Sequence, residues 1–337
     1  MRAVQRAAGL AALSLAAAAP AAHATLAYVK GAFAGKPVVW SAADDGTGAH
    51  ALATGGFSPK VSPDGTQVAY LIGSRKTTLK VKPAAGGTAK TVAANIWNYD
   101  AVLWSADGTK MSVVTGPELG PYSLKIVDLV AGTTRTVAKG FFSGVTFAPS
   151  GEGMAFARSF TNSYPVKANL YVVDLAGGPV HRITADNNAT LPLWGPSVIA
   201  FNRAHKAARK GDYDKLDIYT IRPDGTGIKR ITKTNPPFLL AGLSPLGWSD
   251  DGKRLAAEYG GQDTSEAWRV NVATGKAADA TGGFDGVVGW ALSHDGSAIL
   301  GTTGYFDDPK GNVVAIPWSG GTPTVLAKAA TQPSWSR

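Results

Sequence analysis

The side chains of this protein that could do chemistry are few and scattered. There is no cysteine, which removes disulfides, thiolate metal sites and cysteine nucleophiles together. Beyond residue 24 the histidines are His50, His181, His205 and His294. His50 and His181 fall at equivalent points of a repeat described below, His294 replaces a turn proline and His205 lies in an insertion, so the four imidazoles are not expected to meet on one metal. Acid–base cleavage of a glycan needs two carboxylates that face each other. The close acidic groupings in suitable loops are Asp263 with Glu266 and Asp307 with Asp308. A Gly-x-Ser-x-Gly nucleophile elbow, a calcium loop of alternating acids, a phosphate-cradling glycine loop and a dinucleotide fingerprint are absent. These residues call for neither a cofactor nor a metal.

Residue types suited to recognition are more plentiful. Trp97, Tyr99, Phe142 and Phe284 fall in the connections between one repeat and the next, and Tyr164, Tyr259 and Tyr305 in connections within repeats. Asn95, Asn98, Asp186, Asn187, Asn188, Gln262 and Asp263 are interspersed with them. Aromatic anchors with polar neighbours suit a peptide segment or a glycan, the rings supplying most of the energy and the polar groups the orientation. One insertion, Arg203 to Lys215, carries Lys206, Arg209 and Lys210. It reads as a basic finger that would draw in an acidic protein, glycan or lipid headgroup. The formal net charge is +9; outside this insertion no basic run accompanies it, which argues against a nucleic-acid partner.

The elements that must position these residues repeat along the chain. Val61-Ser62-Pro63-Asp64-Gly65, Trp104-Ser105-Ala106-Asp107-Gly108, Phe147-Ala148-Pro149-Ser150-Gly151, Trp248-Ser249-Asp250-Asp251-Gly252 and Leu292-Ser293-His294-Asp295-Gly296 each place a bulky apolar residue four before a glycine. Such a segment is a hairpin turn in which the glycine takes a positive φ. The strand after each turn alternates large with small or polar residues, as in Val68/Tyr70 and Met154/Phe156, which predicts one buried face. A third strand follows, as in Leu170-Tyr171-Val172-Val173-Asp174-Leu175, and a fourth ends in an apolar residue plus Ala or Thr, as in Ile183-Thr184 and Ile231-Thr232. Trp194-Gly195-Pro196 substitutes for one turn. The last partial repeat, Trp335-Ser336-Arg337, supplies a first strand whose companions come from residues 26 to 53. The anchors Val61, Trp104, Phe147, Trp194, Trp248, Leu292 and Trp335 are spaced 43, 43, 47, 54, 44 and 43. Units of this length match four-stranded propeller blades. The expected fold is an all-β, seven-bladed β-propeller of four-stranded blades, closed by the C-terminal strand plus three N-terminal strands, with six blades as the alternative. Closure of this kind covers sheet edges that would otherwise stay open.

At these residues the chain resembles the TolB-like propeller family, above all in Val61-Ser62-Pro63-Asp64-Gly65 and in Asp217-Ile218-Tyr219-Thr220-Ile221-Arg222-Pro223-Asp224-Gly225 through Lys229-Arg230-Ile231-Thr232. The resemblance covers nearly all of residues 25–337 and implies the fold; the family serves as scaffolds, as lyases and as gating domains of peptidases, so function must be argued from the site. TolB itself looks like a six-bladed propeller behind an α/β domain, and oligogalacturonate lyases are similar in their repeats but use a histidine-rich metal centre.

Residues 1–24 begin with Arg2 and Arg6, continue as an Ala/Leu run and end in Ala22-His23-Ala24. This pattern is that of a secretory signal peptide, and the run is shorter than the roughly 20 apolar residues of a spanning helix. The domain organisation is therefore a signal peptide at 1–24 and a propeller at 25–337, with no transmembrane segment after cleavage. The expectation is a monomeric periplasmic or secreted protein that binds an envelope or extracellular protein partner, or a glycan, through Trp97, Tyr99, Phe142, Tyr164, Tyr259, Phe284 and Tyr305 with Lys206, Arg209 and Lys210. The alternative is a carbohydrate-active lyase or hydrolase acting on an anionic glycan.

Overall fold

Four of the aligned turns are closed by the same hydrogen bonds. The hydroxyls of Ser62, Ser105, Ser249 and Ser293 donate to Asp64, Asp107, Asp251 and Asp295 at 2.5–2.7 Å. Each hydroxyl also accepts the N–H of the residue five positions on, Gln67, Lys110, Arg254 or Ala298. Each aspartate caps the N–H two residues beyond it, that of Thr66, Thr109, Lys253 or Ser297. The glycines hold φ between 66° and 73°, a region where a Cβ is costly. These acids are turn caps. At Asp107 burial raises the pKa, but the hydrogen bonds from Ser105 and Thr109 and the charge of Lys110 outweigh it and hold the carboxyl at about 2. The Phe147 turn replaces the pair by Ala148 and Ser150 and keeps Gly151 at φ 75°.

A computed structural model describes residues 24–74, 77–162, 166–206, 212–281, 286–304 and 310–336. Residues 1–23 of the proposed signal peptide, Tyr164, Arg209, Lys210, Phe284, Tyr305 and the Asp307/Asp308 pair lie outside them. The described chain is all-β apart from a short 3-10 turn at Tyr99–Ala101, and its repeating unit is a four-stranded antiparallel meander. Gly56–Val61, Gln67–Ile72, Thr78–Pro83 and Lys90–Ala94 form one such sheet. Leu103–Trp104, Lys110–Thr115, Tyr122–Asp128 and the first half of Thr133–Phe147 form the next. The second half of that strand opens a further sheet with Gly153–Ser159, Asn169–Asp174 and His181–Arg182. The pattern recurs in Thr190–Trp194 through Lys229–Arg230, in Leu240–Trp248 through Ala277–Asp279 and in Val287–Leu292 through Thr324–Ala327.

The C-terminal strand closes the arrangement. Ala330–Trp335 pairs antiparallel with Thr25–Lys30, which continues into Val38–Ala43 and His50–Thr54. Trp335 lies opposite Leu26 and is buried with Leu26, Tyr28 and Leu300. No helix of the described residues is long and apolar enough to cross a membrane.

The core sits between successive sheets. Trp104 packs on Ala69, Leu71 and Leu79 of the preceding sheet, and its indole N–H donates to the Lys60 carbonyl at 3.0 Å. Trp248 makes the equivalent bond to the Leu193 carbonyl at 3.1 Å. One expectation needs correction here: the second strands are buried on both faces, Val68, Ala69, Tyr70 and Leu71 being at most 4% exposed. Each sheet is sandwiched between two neighbours, so the period-two alternation records large against small side chains and not buried against wet ones.

Candidate ligand-binding site

The first inner strand is reached from the outer strand Lys90–Ala94 by a tightly built connection. Trp97 N–H donates to the Val114 carbonyl at 3.0 Å, which ties the connection to the next sheet. Asn98 then caps the Tyr99–Ala101 turn, its side chain accepting the Asp100 N–H, while its amide donates to the Phe142 carbonyl at 3.4 Å. The Tyr99 ring stands edge-on to Phe57 at 5.4 Å, and its hydroxyl lies 3.1 Å from that of Thr77. Trp97 and Tyr122 face each other at 6.4 Å. Phe142 is held against buried Phe156 at 5.9 Å, and Phe156 stacks on Tyr171.

These rings surround a cavity of about 560 Å³ at the end of the inner strands opposite the Asp-Gly turns. Trp97, Tyr99 and Phe142 line it, and Phe57, Tyr122 and Trp290 join them. Its polar groups are Ser58, Asn98, Asp100 and Gln332. The wall therefore draws on the first strands of several sheets, including the closing strand. Ser58 and Gln332 reach it because both sit at φ 49°, and the Gln332 carbonyl oxygen accepts the Ser58 N–H at 2.8 Å. Such an arrangement offers ring faces to an apolar or sugar surface and a few fixed donors and acceptors to orient it.

The remaining sequence-selected residues fall elsewhere. Tyr259 stacks on Trp268 at 4.7 Å, between the second and third strands of its sheet. Burial and then the Glu266 charge raise its pKa. Lys206 is exposed at the end of Ile199–Lys206. The base of the insertion beyond it is clamped by buried Lys215, whose ammonium reaches Asp212 at 2.7 Å and the carbonyls of Leu240 and Pro237 at 2.8 and 2.9 Å. Glu266 accepts the Trp268 indole N–H at 3.0 Å, away from the cavity. Phe57, Trp290, Ser58 and Gln332 were not singled out in the sequence, where they read as ordinary strand residues.

The histidines lie apart. His50 is 3.0 Å from the Ala84 carbonyl, His294 is 3.0 Å from Asp250 and His205 is 2.9 Å from Asp217. Asp217 is a structural acid: fully buried, it also accepts from Arg230, Thr232 and Thr234. Burial lowers the His205 pKa, with Asp217 opposing. Among the described residues no three His, Asp or Glu side chains are grouped so as to hold a metal ion.

Fold comparison places this architecture. TolB from Acinetobacter baumannii superposes with a TM-score of 0.55 at 18% identity, covering 93% of this chain and 66% of that one. The chain is structurally similar to the TolB propellers. The chain is similar also to the β-propeller domain of the Trilobed protease from Pyrococcus furiosus, with a TM-score of 0.63, 12% identity and 87% of each chain covered. A further similar structure is an oligogalacturonate lyase solved with manganese, with a TM-score of 0.58, 17% identity, 80% of this chain and 76% of that one. No family model matches the sequence, and no curated protein does.

Proposed function

We propose that this chain is an exported, seven-bladed TolB-like propeller that binds a partner's peptide segment, or a glycan, at the aromatic cavity, as a scaffold without chemistry of its own. The observation that carries the reading is the meeting of Trp97, Tyr99 and Phe142 with Phe57, Tyr122 and Trp290 around one open space. Rings needed only for packing would be shut away, since leaving a large apolar side chain wet forfeits about 1.5–3 kcal/mol; Tyr99 is 37% exposed. Among the described residues the cavity has a single carboxylate, Asp100, whereas cleavage of an anionic glycan by paired acids needs two. That favours binding over the lyase or hydrolase alternative.

The test is affinity capture of envelope proteins and of arrayed glycans by the protein and by Trp97→Ala. The expected loss is about 2 kcal/mol, roughly thirtyfold in Kd, with the melting temperature nearly unchanged. Capture that survives Trp97→Ala, together with a large fall in melting temperature, would make the rings a plug between sheets and overturn the reading.

A further inference from the structure

The other end of the inner strands, beside the Asp-Gly turns, holds a second cavity of about 800 Å³. Trp104, Trp194, Trp248 and Trp335 line it, although the turns themselves carry almost no aromatic residues. Their rings come from the inner strands that the turns terminate. The indole N–H groups of Trp104 and Trp248 are already given to backbone carbonyls, so these two present ring faces and not donors.

Two charges in this wall are unmatched. Lys60, on the inner strand Gly56–Val61, makes no side-chain hydrogen bond or ion pair among the described residues. Asp100, which lines both cavities, has its backbone N–H on Asn98 but no donor on its carboxylate among the described residues. Burial takes the Lys60 ammonium below the usual lysine range, and Asp100 pulls it part of the way back, so the two charges sense each other while standing beyond the 4.0 Å of a direct ion pair. The other charged pair in the wall, His294 with Asp250, is closed on itself at 3.0 Å. Lys60 is half-buried and Asp100 exposed, and a cation and an anion that line one cavity without a direct partner are matched together by a body that brings both charges with it.

We propose that this second cavity binds a free α-amino acid with a large apolar side chain, its carboxylate on Lys60, its ammonium on Asp100 and its side chain among the tryptophan rings. A simple carboxylate would match Lys60 but be repelled by Asp100. A simple amine would match Asp100 and be repelled by Lys60. The zwitterion satisfies both and adds no net charge to the cavity.

The experiment is calorimetric titration of the full chain with L-phenylalanine, with 3-phenylpropionate, which lacks the ammonium, and with 2-phenylethylamine, which lacks the carboxylate. L-Phenylalanine binds, and each truncated ligand binds at least about tenfold more weakly, as does L-phenylalanine to Lys60→Met or Asp100→Asn, the loss expected for one charged hydrogen bond. Asp100→Asn also binds 3-phenylpropionate more tightly than the unchanged protein does, because the repulsion is gone. Lys60 is half-buried without an ion pair and Asp100 is exposed, so both variants keep the melting temperature. Trp97→Ala, in the other cavity, leaves the affinity for L-phenylalanine unchanged, which separates this site from the one proposed above. Absence of binding, equal affinity for L-phenylalanine and 3-phenylpropionate, or an undiminished affinity of Lys60→Met would each overturn the proposal.

Discussion

Deleting residues 331–337 should abolish cooperative folding, and the size of the effect follows from what the last strand touches. Trp335 is 8% exposed in a cluster with Leu26, Tyr28 and Leu300, and removing a buried tryptophan costs about 3–5 kcal/mol. Three side chains of the same strand end hold neighbouring backbone. Gln332 accepts from Ser58 N–H at 2.8 Å, Ser334 from Val61 N–H at 3.0 Å and Ser336 from Thr25 N–H at 2.9 Å. Each contributes about 0.5–1.5 kcal/mol, and more where the donor is left buried and unpaired. The ladder to Thr25–Lys30 goes with them, and that sheet acquires an open edge. The total is comparable with the roughly 5–15 kcal/mol that holds a whole domain. Urea unfolding followed by circular dichroism is the assay. Trp335→Ala alone should lower the midpoint with an unchanged slope, and the deletion should show no cooperative transition or should aggregate. A deletion variant with the midpoint and slope of the full chain would refute the idea that this strand locks the ring.

Three further outcomes are expected. Asp107 has its folded pKa lowered to about 2 against about 3.9 unfolded, so its contribution is complete above about pH 4 and is lost as pH falls toward about 2; the destabilisation caused by Asp107→Ala, read from melting curves, should shrink across that window and vanish below it. Gly195→Ala should destabilise by about 1–3 kcal/mol, because a Cβ there would stand 2.7 Å from the Trp248 ring; an unchanged urea midpoint would show that the ring is not seated on that glycine. Replacing Lys206, Arg209 and Lys210 by Ser should slow association with an acidic ligand, chiefly at low salt, and leave its dissociation rate alone; stopped-flow rates independent of salt in both proteins would remove the steering role.

The repeat was legible in the sequence because its chemistry is local. A serine, an aspartate and a glycine within four residues close the turn at Ser62, Ser105, Ser249 and Ser293 by hydrogen bonds that span at most five positions. The anchor residue before each turn marks the inner strand for the same reason, and the partial repeat at Trp335 announced its pairing with the strands within residues 26 to 53. The aromatic connection Trp97 to Tyr99 was legible too, since it lies between strands whose order the repeat dictates.

What tertiary structure alone decided is which side chains meet. Phe57, Ser58, Trp290 and Gln332 reach the first cavity from strands far apart in sequence, and the inner strands that carry them slip register at Phe57/Lys60 and Gly289/Ala291. A bulge re-aims the side chains that follow it and leaves no mark in the alternation of residue types; Ser58 and Gln332 take a positive φ that no glycine advertises. Tyr259 shows the converse. Its place in a loop-end position suggested the cavity, but Trp268 on the adjacent strand captures its ring. Likewise Lys60 and Asp100 are 40 residues apart and have no local pattern in common. Strand order follows from short-range turns, whereas the facing of one inner strand by another depends on sheet twist, bulges and ring closure, which exist only once the whole chain has packed.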